Sequence, residues 1–374
     1  MAQQTAQGWL VRELTPDPRL IAIVAACNSL PVIFLSLYAG AIADRVDRRR
    51  ALLIFNLFAA LLALLLAVLV WLQIVQVWHV ILFALANGIG MAFDVPIRQS
   101  FNREMVGMND LPSAIALNST AFNTARVAGP AVGGMLIQGV GLAGCFFINT
   151  LSFVALIAGL LMMKLAPHEP VHTPIRISTI WKGILYVRRH STLKLIVLLV
   201  AVVSFAALSY GALMAVFAKD VLRSDAAGFS TLVTCGGVGS LMAATSQALM
   251  REMRHRGKRL LLGAFLSCLC VMGFAVSPNV IAAGGFLLLA GYFQLVFLMT
   301  ANTMVQMLSP DSLRGRIFSL YSLALIGANP LGAILLGVMA SQVGARIATF
   351  GGACFAAAFV LFVFWKFRSL WKER

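Results

Sequence analysis

Arg126 has the placement in this sequence that most demands a chemical reason. It is the one Lys or Arg deep inside an apolar run, and a charge at that depth in a bilayer costs at least about 2.5 kcal/mol unless it meets a partner or an aqueous cavity. Ser119, Asn123, Arg126 and Pro130 follow one another at intervals of four, three and four residues, so on a helix they share one face. That face has the chemistry to line a polar path and to hold an anionic or catechol-bearing solute. Pairing to a neighbouring helix would satisfy Arg126 equally well.

Covalent and metal chemistry have little to work with. His79, His168, His172, His190 and His255 are scattered, without metal-ligand spacing. Cys27, Cys145, Cys235, Cys268, Cys270 and Cys354 all fall in apolar runs with no Cys-x-x-Cys pair, and read as small buried hydrophobes. Gly88-Ile89-Gly90 and Gly236-Gly237-Val238-Gly239 lack the strand context of a nucleotide loop. No acid, nucleophile or metal cluster gathers near a span end, so an enzyme is not expected and neither is a cofactor. Asn28, Asn56, Asn87, Asn149, Asn302, Gln294, Gln306, Tyr210 and Tyr292 are weaker candidates for touching a solute, because polar residues in membranes mostly bond helix to helix. Phe146, Phe147, Phe205, Phe293 and Phe297 read as packing.

The elements that carry these residues follow from composition. Of 374 residues, 60% are hydrophobic and 11% charged, with mean hydropathy +0.91, whereas a soluble domain carries roughly 25% charged residues. Ala51 to Phe93 contains no Asp, Glu, Lys or Arg, and one spanning helix needs only about 20 apolar residues. Unpaired amides are costly in hydrocarbon and the runs show no in-out alternation, so the expectation is an all-α polytopic membrane protein. Apolar runs between charge clusters give eleven full spans: Leu20 to Ala43, Ala51 to Leu72, Val80 to Phe93, Leu111 to Ile137, Leu142 to Met163, Leu195 to Ala218, Gly228 to Met250, Leu260 to Val276, Val280 to Met307, Ile317 to Val343 and Ile347 to Trp365.

The net charge of +16 is loop charge rather than a nucleic-acid groove. One set of alternate connections holds Arg45 and Arg48 to Arg50, Arg98 and Arg103, the cluster from Lys164 to Lys194, Arg251 to Arg259, Arg314 and Arg316, and the tail from Lys366 to Arg374; the other holds Lys219, Arg223 and Arg346. Because short cytoplasmic loops retain Lys and Arg, the first set and the carboxyl terminus are expected inside. The same parity asks for a further span before Leu20. Met1 to Leu14 is short and polar at Gln3, Gln4 and Gln7, and is expected to be about the last third of a first helix whose remainder lies upstream.

The longest hydrophilic connection contains Pro167, Pro170 and Pro174. The expected organisation is an amino-terminal helical bundle over residues 1–165, a cytoplasmic linker over 166–194, and a carboxyl-terminal bundle with a basic tail over 195–374. With the incomplete first helix counted, this makes two six-helix bundles, as in transporters built from related halves. The halves echo each other in Gly129-Pro130 and Asn329-Pro330, preceded by small residues at four-residue spacing: Ala121, Ala125, Gly129 and Gly133 in one, Ala324, Ala328 and Gly332 in the other. Such spacing lets helices approach closely, and packing is the first reading of it.

Gly40-Ala41-Ile42-Ala43-Asp44-Arg45-Val46-Asp47-Arg48-Arg49-Arg50 resembles the loop signature of the major facilitator superfamily, with Asp47 where that family usually has glycine. Ala125-Arg126-Val127-Ala128-Gly129-Pro130-Ala131-Val132-Gly133-Gly134 resembles its antiporter signature, which exporters carry more often than importers do. Gln7-Gly8-Trp9-Leu10, Phe93-Asp94 with Pro96 and Arg98, Leu117-Asn118-Ser119, and Leu313-Arg314-Gly315-Arg316 look like the branch of siderophore exporters and related secretion effectors. The resemblance implies alternating access with a cytoplasmic gate at Gly40, Asp44, Arg45, Arg48, Asp94 and Arg98. In it Asp44 faces the amino end of the eleventh helix, and Arg48 bridges Asp44 and Asp94. Arg49 and Arg50 are read mainly as topology charges. Ser119, Asn123 and Arg126 become cavity residues; Gly129, Pro130, Gly133 and Gly134 become a helix-packing motif.

The expected function is export of a small siderophore- or drug-like organic molecule across a bacterial inner membrane, by a monomer in the bilayer coupled to protons or another ion. No Asp or Glu lies in the middle of an assigned span, so coupling would fall to Asp94 or Glu13 at span ends or to the upstream part of the first helix. A nutrient importer of the same fold is the alternative, and a non-transporting sensor or scaffold a more distant one.

Overall fold

The structure is a computed structural model. It describes the backbone of residues 2–43, 46–163, 185–249, 256–310 and 313–366, with side chains at all of these except 2, 36–43, 95, 99–100, 102–104, 106–124, 126–128, 130–131, 248–249 and 314–316. Every described element is helical: α1 Ala2–Leu14, α2 Pro18–Ala43, α3 Arg48–Trp71, α4 Val77–Met162, α5 Ser191–Ala206, α6 Ala226–Leu249, α7 Arg256–Val276, α8 Val280–Leu308, α9 Arg314–Ser322, α10 Ala328–Val343 and α11 Ala345–Lys366. Short 3-10 and π segments continue α5 and join α9 to α10. A helix bonds its own amides internally, which is what hydrocarbon requires of these apolar runs.

Ten helical stretches among the described residues are long and apolar enough to cross a membrane. The expected span Leu111 to Ile137 falls mostly on residues whose side chains lie outside the described set. That region belongs to α4, whose 86 residues would make a straight rod of about 130 Å, several times a hydrocarbon core of about 30 Å. The chain doubles back within it. Gly141 has φ +71°, and Cys145 Sγ lies 4.0 Å from the Gly133 carbonyl, where twelve residues of straight helix would put them about 18 Å apart. Glycine adopts that backbone without the Cβ penalty.

Helix starts are encoded locally. Asp47 accepts from Arg50 N at 3.1 Å and caps α3, and Asn279 accepts from Ala282 N at 2.9 Å and caps α8, each satisfying an orphan donor of the first turn. Gly344, with φ +86°, turns α10 into α11. The outer surface is apolar and carries tryptophans at helix ends: Trp71 is 75% exposed and Trp365 74%, as expected for rings at the bilayer interface.

Packing divides the chain into two compact units, one of Met1–Thr15 with Ile23–Ile175, the other of Pro16–Ala22 with Arg176–Arg374. In the first, α3 and α4 enclose a core of Leu52, Ile97, Phe101 and Leu160. The short α1 buries Ala6, Trp9, Leu10 and Val11, and Gln3 on it accepts from Asn149 Nδ2 of α4 at 2.6 Å. In the second, α5, α7, α8 and α11 share a larger core that includes Leu199, Val203, Cys268, Phe297, Met304 and Val360. Lipid tails are as apolar as leucine, so helix pairs gain mainly from close approach. At Gly239 a Cβ would lie 1.8 Å from the Leu288 carbonyl oxygen, and at Gly291 2.1 Å from that of Gly236. The glycine run of α6 therefore serves contact with α8.

Candidate functional site

In the first unit, charged and amide side chains converge where the amino-terminal part of α3 meets α4. Arg98 and Asp94 stand one turn apart on α4, and that i, i+4 spacing places them on one face. Arg98 Nη2 donates to Asp94 Oδ1 at 2.8 Å and Nε to Oδ2 at 2.9 Å, the two-point geometry in which a guanidinium matches a carboxylate. The same Nη2 reaches Asn56 Oδ1 of α3 at 3.5 Å, while Asn56 Nδ2 donates to Leu52 O at 2.7 Å. Arg48 lies half-buried in the first turn of α3. The pair keeps some contact with solvent, with side chains 36% and 23% exposed, so its net contribution is about 1 kcal/mol. A contact of that size breaks and re-forms at little cost.

A cavity of about 90 Å³ opens beside the pair. It is lined on α3 by Phe55, Asn56, Phe58, Ala59 and Leu62, and on α4 by Asn87, Gly90, Met91, Asp94, Arg98 and Phe153. Its wall is mainly apolar and aromatic, with Asn56, Asn87, Asp94 and Arg98 as its polar groups. Asn87 is fixed from behind, donating through Nδ2 to Asn28 Oδ1 of α2 at 3.0 Å. The α2–α4 crossing is tight here because residue 88 has no side chain: a Cβ on Gly88 would sit 2.6 Å from Asn28 O and 3.0 Å from Cys27 O.

Arg49 has a bonding role beyond its charge. Its Nε donates to Leu160 O at 2.9 Å and its Nη2 to Leu161 O at 2.8 Å, holding two carbonyls that the carboxyl end of α4 leaves without amide partners. Arg50 makes an exposed pair with Asp47 at 3.2 Å. Asp47 has φ −61°, so the turn has no need of the glycine usual at this place, and the carboxylate serves as the cap of α3.

Of the residues singled out by sequence, the structure brings Asp94 and Arg98 together and sets them beside Asn56. The side chains of Gly40, Asp44 and Arg45, and those of Ser119, Asn123, Arg126 and Pro130, lie outside the described residues. Gly133 and Gly134 are buried and Gly129 half-buried on α4. The polar residues counted as weaker candidates mostly bond within or between helices: Asn28 with Asn87, Asn149 with Gln3, and Tyr292 OH with Ser246 Oγ at 3.3 Å. Among the described residues no group of His, Cys, Asp and Glu is arranged to hold a metal.

In the second unit the backbone itself is irregular. After Ala206 the chain passes through a 3-10 turn, Leu208–Leu213, and a π turn, Phe217–Val221. Ser209 Oγ donates to Phe205 O at 2.5 Å, covering a carbonyl at the break. Gly332 of α10 lies against this break: its Cβ position is 1.8 Å from Phe205 O. A second π turn, Leu323–Gly327, precedes Asn329-Pro330. Pro330 has no N–H for the Ile326 carbonyl and its ring would clash there, and a wider turn just before it relieves both. Irregular backbone inside a membrane is tolerated only where protein or a water-lined cavity satisfies it.

The sequence pattern of the family described as transmembrane secretion effector, MFS_3, matches residues 1–373. Among characterised proteins the chain is 25% identical over 346 residues to the multidrug efflux pump Tap of Mycolicibacterium fortuitum, covering 90% of this chain and 84% of that one. It is 24% identical to the staphyloferrin A transporter of Staphylococcus aureus, covering 91% and 86%, and 23% identical to the enterobactin exporter EntS of Shigella boydii, covering 80% and 71%. Among solved structures, the nucleoside transporter NupG superposes with a TM-score of 0.75 at 13% identity, covering all of this chain and 96% of that one, a likeness of fold alone. The chain belongs to the transmembrane secretion effector family of the major facilitator superfamily, and is a multi-pass secondary transporter of small molecules rather than an enzyme.

Proposed function

We propose that this transporter exports a small organic molecule, siderophore- or drug-like, across the bacterial inner membrane by alternating access, as a monomer with its carboxyl terminus in the cytoplasm and with proton or other ion coupling. The observation that carries the direction is that relatives named as an efflux pump and as an exporter align over 90% and 80% of this chain. In this reading the cytoplasmic gate comprises Gly40, Asp44, Arg45, Arg48, Asp94 and Arg98, and Ser119, Asn123 and Arg126 face the solute. The Asp94–Arg98 pair supports the gate, because a part-exposed ion pair costs little to open. Gly129, Pro130, Gly133 and Gly134 pack α4 closely against its neighbours, and residues 166–194 join the two bundles on the cytoplasmic side.

The test uses a host deleted for its own exporters. Cells making the protein should retain less labelled siderophore or lipophilic cation than cells making Asp94→Asn at equal membrane abundance, and inverted vesicles should accumulate the compound when energised. Accumulation in whole cells and depletion from inverted vesicles would reverse the direction and make the protein an importer.

A further inference from the structure

At one end of the second unit, α6 is described as far as Leu249 and α7 from Arg256, and Gln247 and Arg256 carry buried donors that meet no acceptor among the described residues. Gln247 is only 4% exposed. Its Oε1 accepts from Arg259 Nη2 at 3.1 Å, but its Nε2 meets no acceptor among the described residues. Arg256 stands one turn before Arg259 on the same face of α7. Its Nη1 points at Met307 Sδ of α8, 2.6 Å away, a weak acceptor, and its Nε is buried without a partner among the described residues. Buried donors left unpaired are costly, so two at one place point to an acceptor that belongs there.

The sign of that acceptor follows from charge. From residue 226 to residue 313, Arg251, Arg254, Arg256, Lys258 and Arg259 outnumber the two acids, Glu252 and Asp311, the latter four residues beyond Met307. The surroundings show what else the ligand must be: Leu262, one turn along α7 from Arg259, is 51% exposed, and Met307 is 59% exposed. Cationic donors thus sit directly above apolar surface at the end of membrane-spanning helices.

We propose that Gln247, Arg256 and Arg259 form a site for a phosphate-type anion, supplied as the phosphodiester headgroup of an anionic phospholipid whose chains lie along Leu262 and Met307. Basic pockets between helix ends recognise such headgroups by charge and by donor geometry. The site is separate from the Asp94–Arg98 pair and does not depend on the cargo or on the direction of transport.

The full chain is delipidated in a neutral detergent, and retention of phosphatidylglycerol and of phosphatidylcholine with matched acyl chains is measured by mass spectrometry, with thermal unfolding recorded in parallel. Phosphatidylglycerol should be held at least tenfold more tightly. Arg256→Gln combined with Arg259→Gln should remove most of that preference, and Arg256→Lys, which keeps the charge and the fold but drops Nε, should weaken it several-fold; Arg50→Gln in the first unit should leave it unchanged. Inorganic phosphate in place of lipid, compared with chloride at equal ionic strength, separates the sources: protection by phosphate without a lipid preference keeps the anion site and assigns it to the free ion. Equal retention of both lipids with no phosphate effect overturns the proposal, as does a preference that survives the double variant. So does a preference that emerges only in Glu252→Gln or in Asp311→Asn, since that carboxylate would then be filling the site itself.

Discussion

Arg98 grips Asp94 through two parallel hydrogen bonds, 2.8 and 2.9 Å long, although both stand on one helix and neither needs the other to fold it. The contact therefore does little for α4 itself; its consequence lies in which partner the carboxylate can reach. If the gate works by exchanging the partners of Asp94, Arg98 is the competitor that holds the carboxylate between exchanges. Asp94→Asn should lower flux at least tenfold while unfolding shifts by only about 1 kcal/mol, the size of a part-exposed pair. Arg98→Lys should lie between, because an ammonium offers a point charge in place of the fork. Flux in the Asn variant equal to that of the parent, at equal abundance, removes Asp94 from the gate.

Arg49 separates charge from geometry. A residue that only enforces topology is replaced fully by lysine, since the positive-inside preference counts both. The structure instead gives Arg49 two carbonyls, Leu160 O and Leu161 O, which an ammonium on a longer lever does not hold in parallel. Arg49→Lys should keep orientation and membrane abundance but lose about 0.5–1 kcal/mol of stability, and Arg49→Ala about 1–2 kcal/mol. Unfolding of Arg49→Lys indistinguishable from the parent would return Arg49 to a topology charge.

These two residues also show what the sequence makes legible. The helical class, the positions of the spans and the charged loop after α2 follow from hydropathy and charge alone, because hydrocarbon leaves few options for an uncharged run. The partner of Arg49 does not, since Leu160 and Leu161 lie more than a hundred residues away in an apolar run with nothing to mark them. Asp47 appears in the sequence as a missing glycine; the geometry shows a helix cap, which its position immediately before α3 was sufficient to indicate. The α2–α4 crossing carries its signal in Gly88 and in the Asn28 and Asn87 amides, but composition does not say which helix a lone small residue meets. The π turn at Leu323–Gly327 is foreshadowed by Pro330, whereas the break after Ala206 has no proline to mark it.

Gly88 and Gly90, two residues apart on α4, give a matched comparison. A Cβ at 88 meets Asn28 O at 2.6 Å and Pro31 Cγ at 3.0 Å, whereas a Cβ at 90 meets only the Phe58 ring at 3.8 Å. Gly88→Ala should therefore push α2 from α4, break the Asn87–Asn28 bond and destabilise by about 1–3 kcal/mol. Gly90→Ala should be neutral or mildly stabilising, because alanine favours the helix over glycine by up to about 1 kcal/mol. Thermal unfolding of the two variants side by side checks this, and equal shifts would mean that α2 and α4 are not in contact at residue 88.

Gly332, like Gly239, leaves no room for a side chain. Its Cβ position lies 1.8 Å from Phe205 O and 2.8 Å from Ser209 Oγ, whereas carbon to carbonyl oxygen approaches of about 3.3 Å are the close normal limit. Alanine there must move α10 away by about 1.5 Å or displace the carbonyl that Ser209 covers, and the broken helix after Ala206 loses its backing. Gly285 of α8 is the control, since a Cβ there meets nothing within 4 Å. Gly332→Ala should destabilise by about 2–3 kcal/mol and reduce flux beyond what the loss of folded protein explains, because the segment it disturbs holds the one 3-10 turn among the described elements. Ser209→Ala should reproduce part of the flux defect with a smaller loss of stability, of about 1 kcal/mol. If Gly332→Ala and Gly285→Ala unfold together and transport alike, α10 does not press on the break, and the irregular turn owes nothing to this contact.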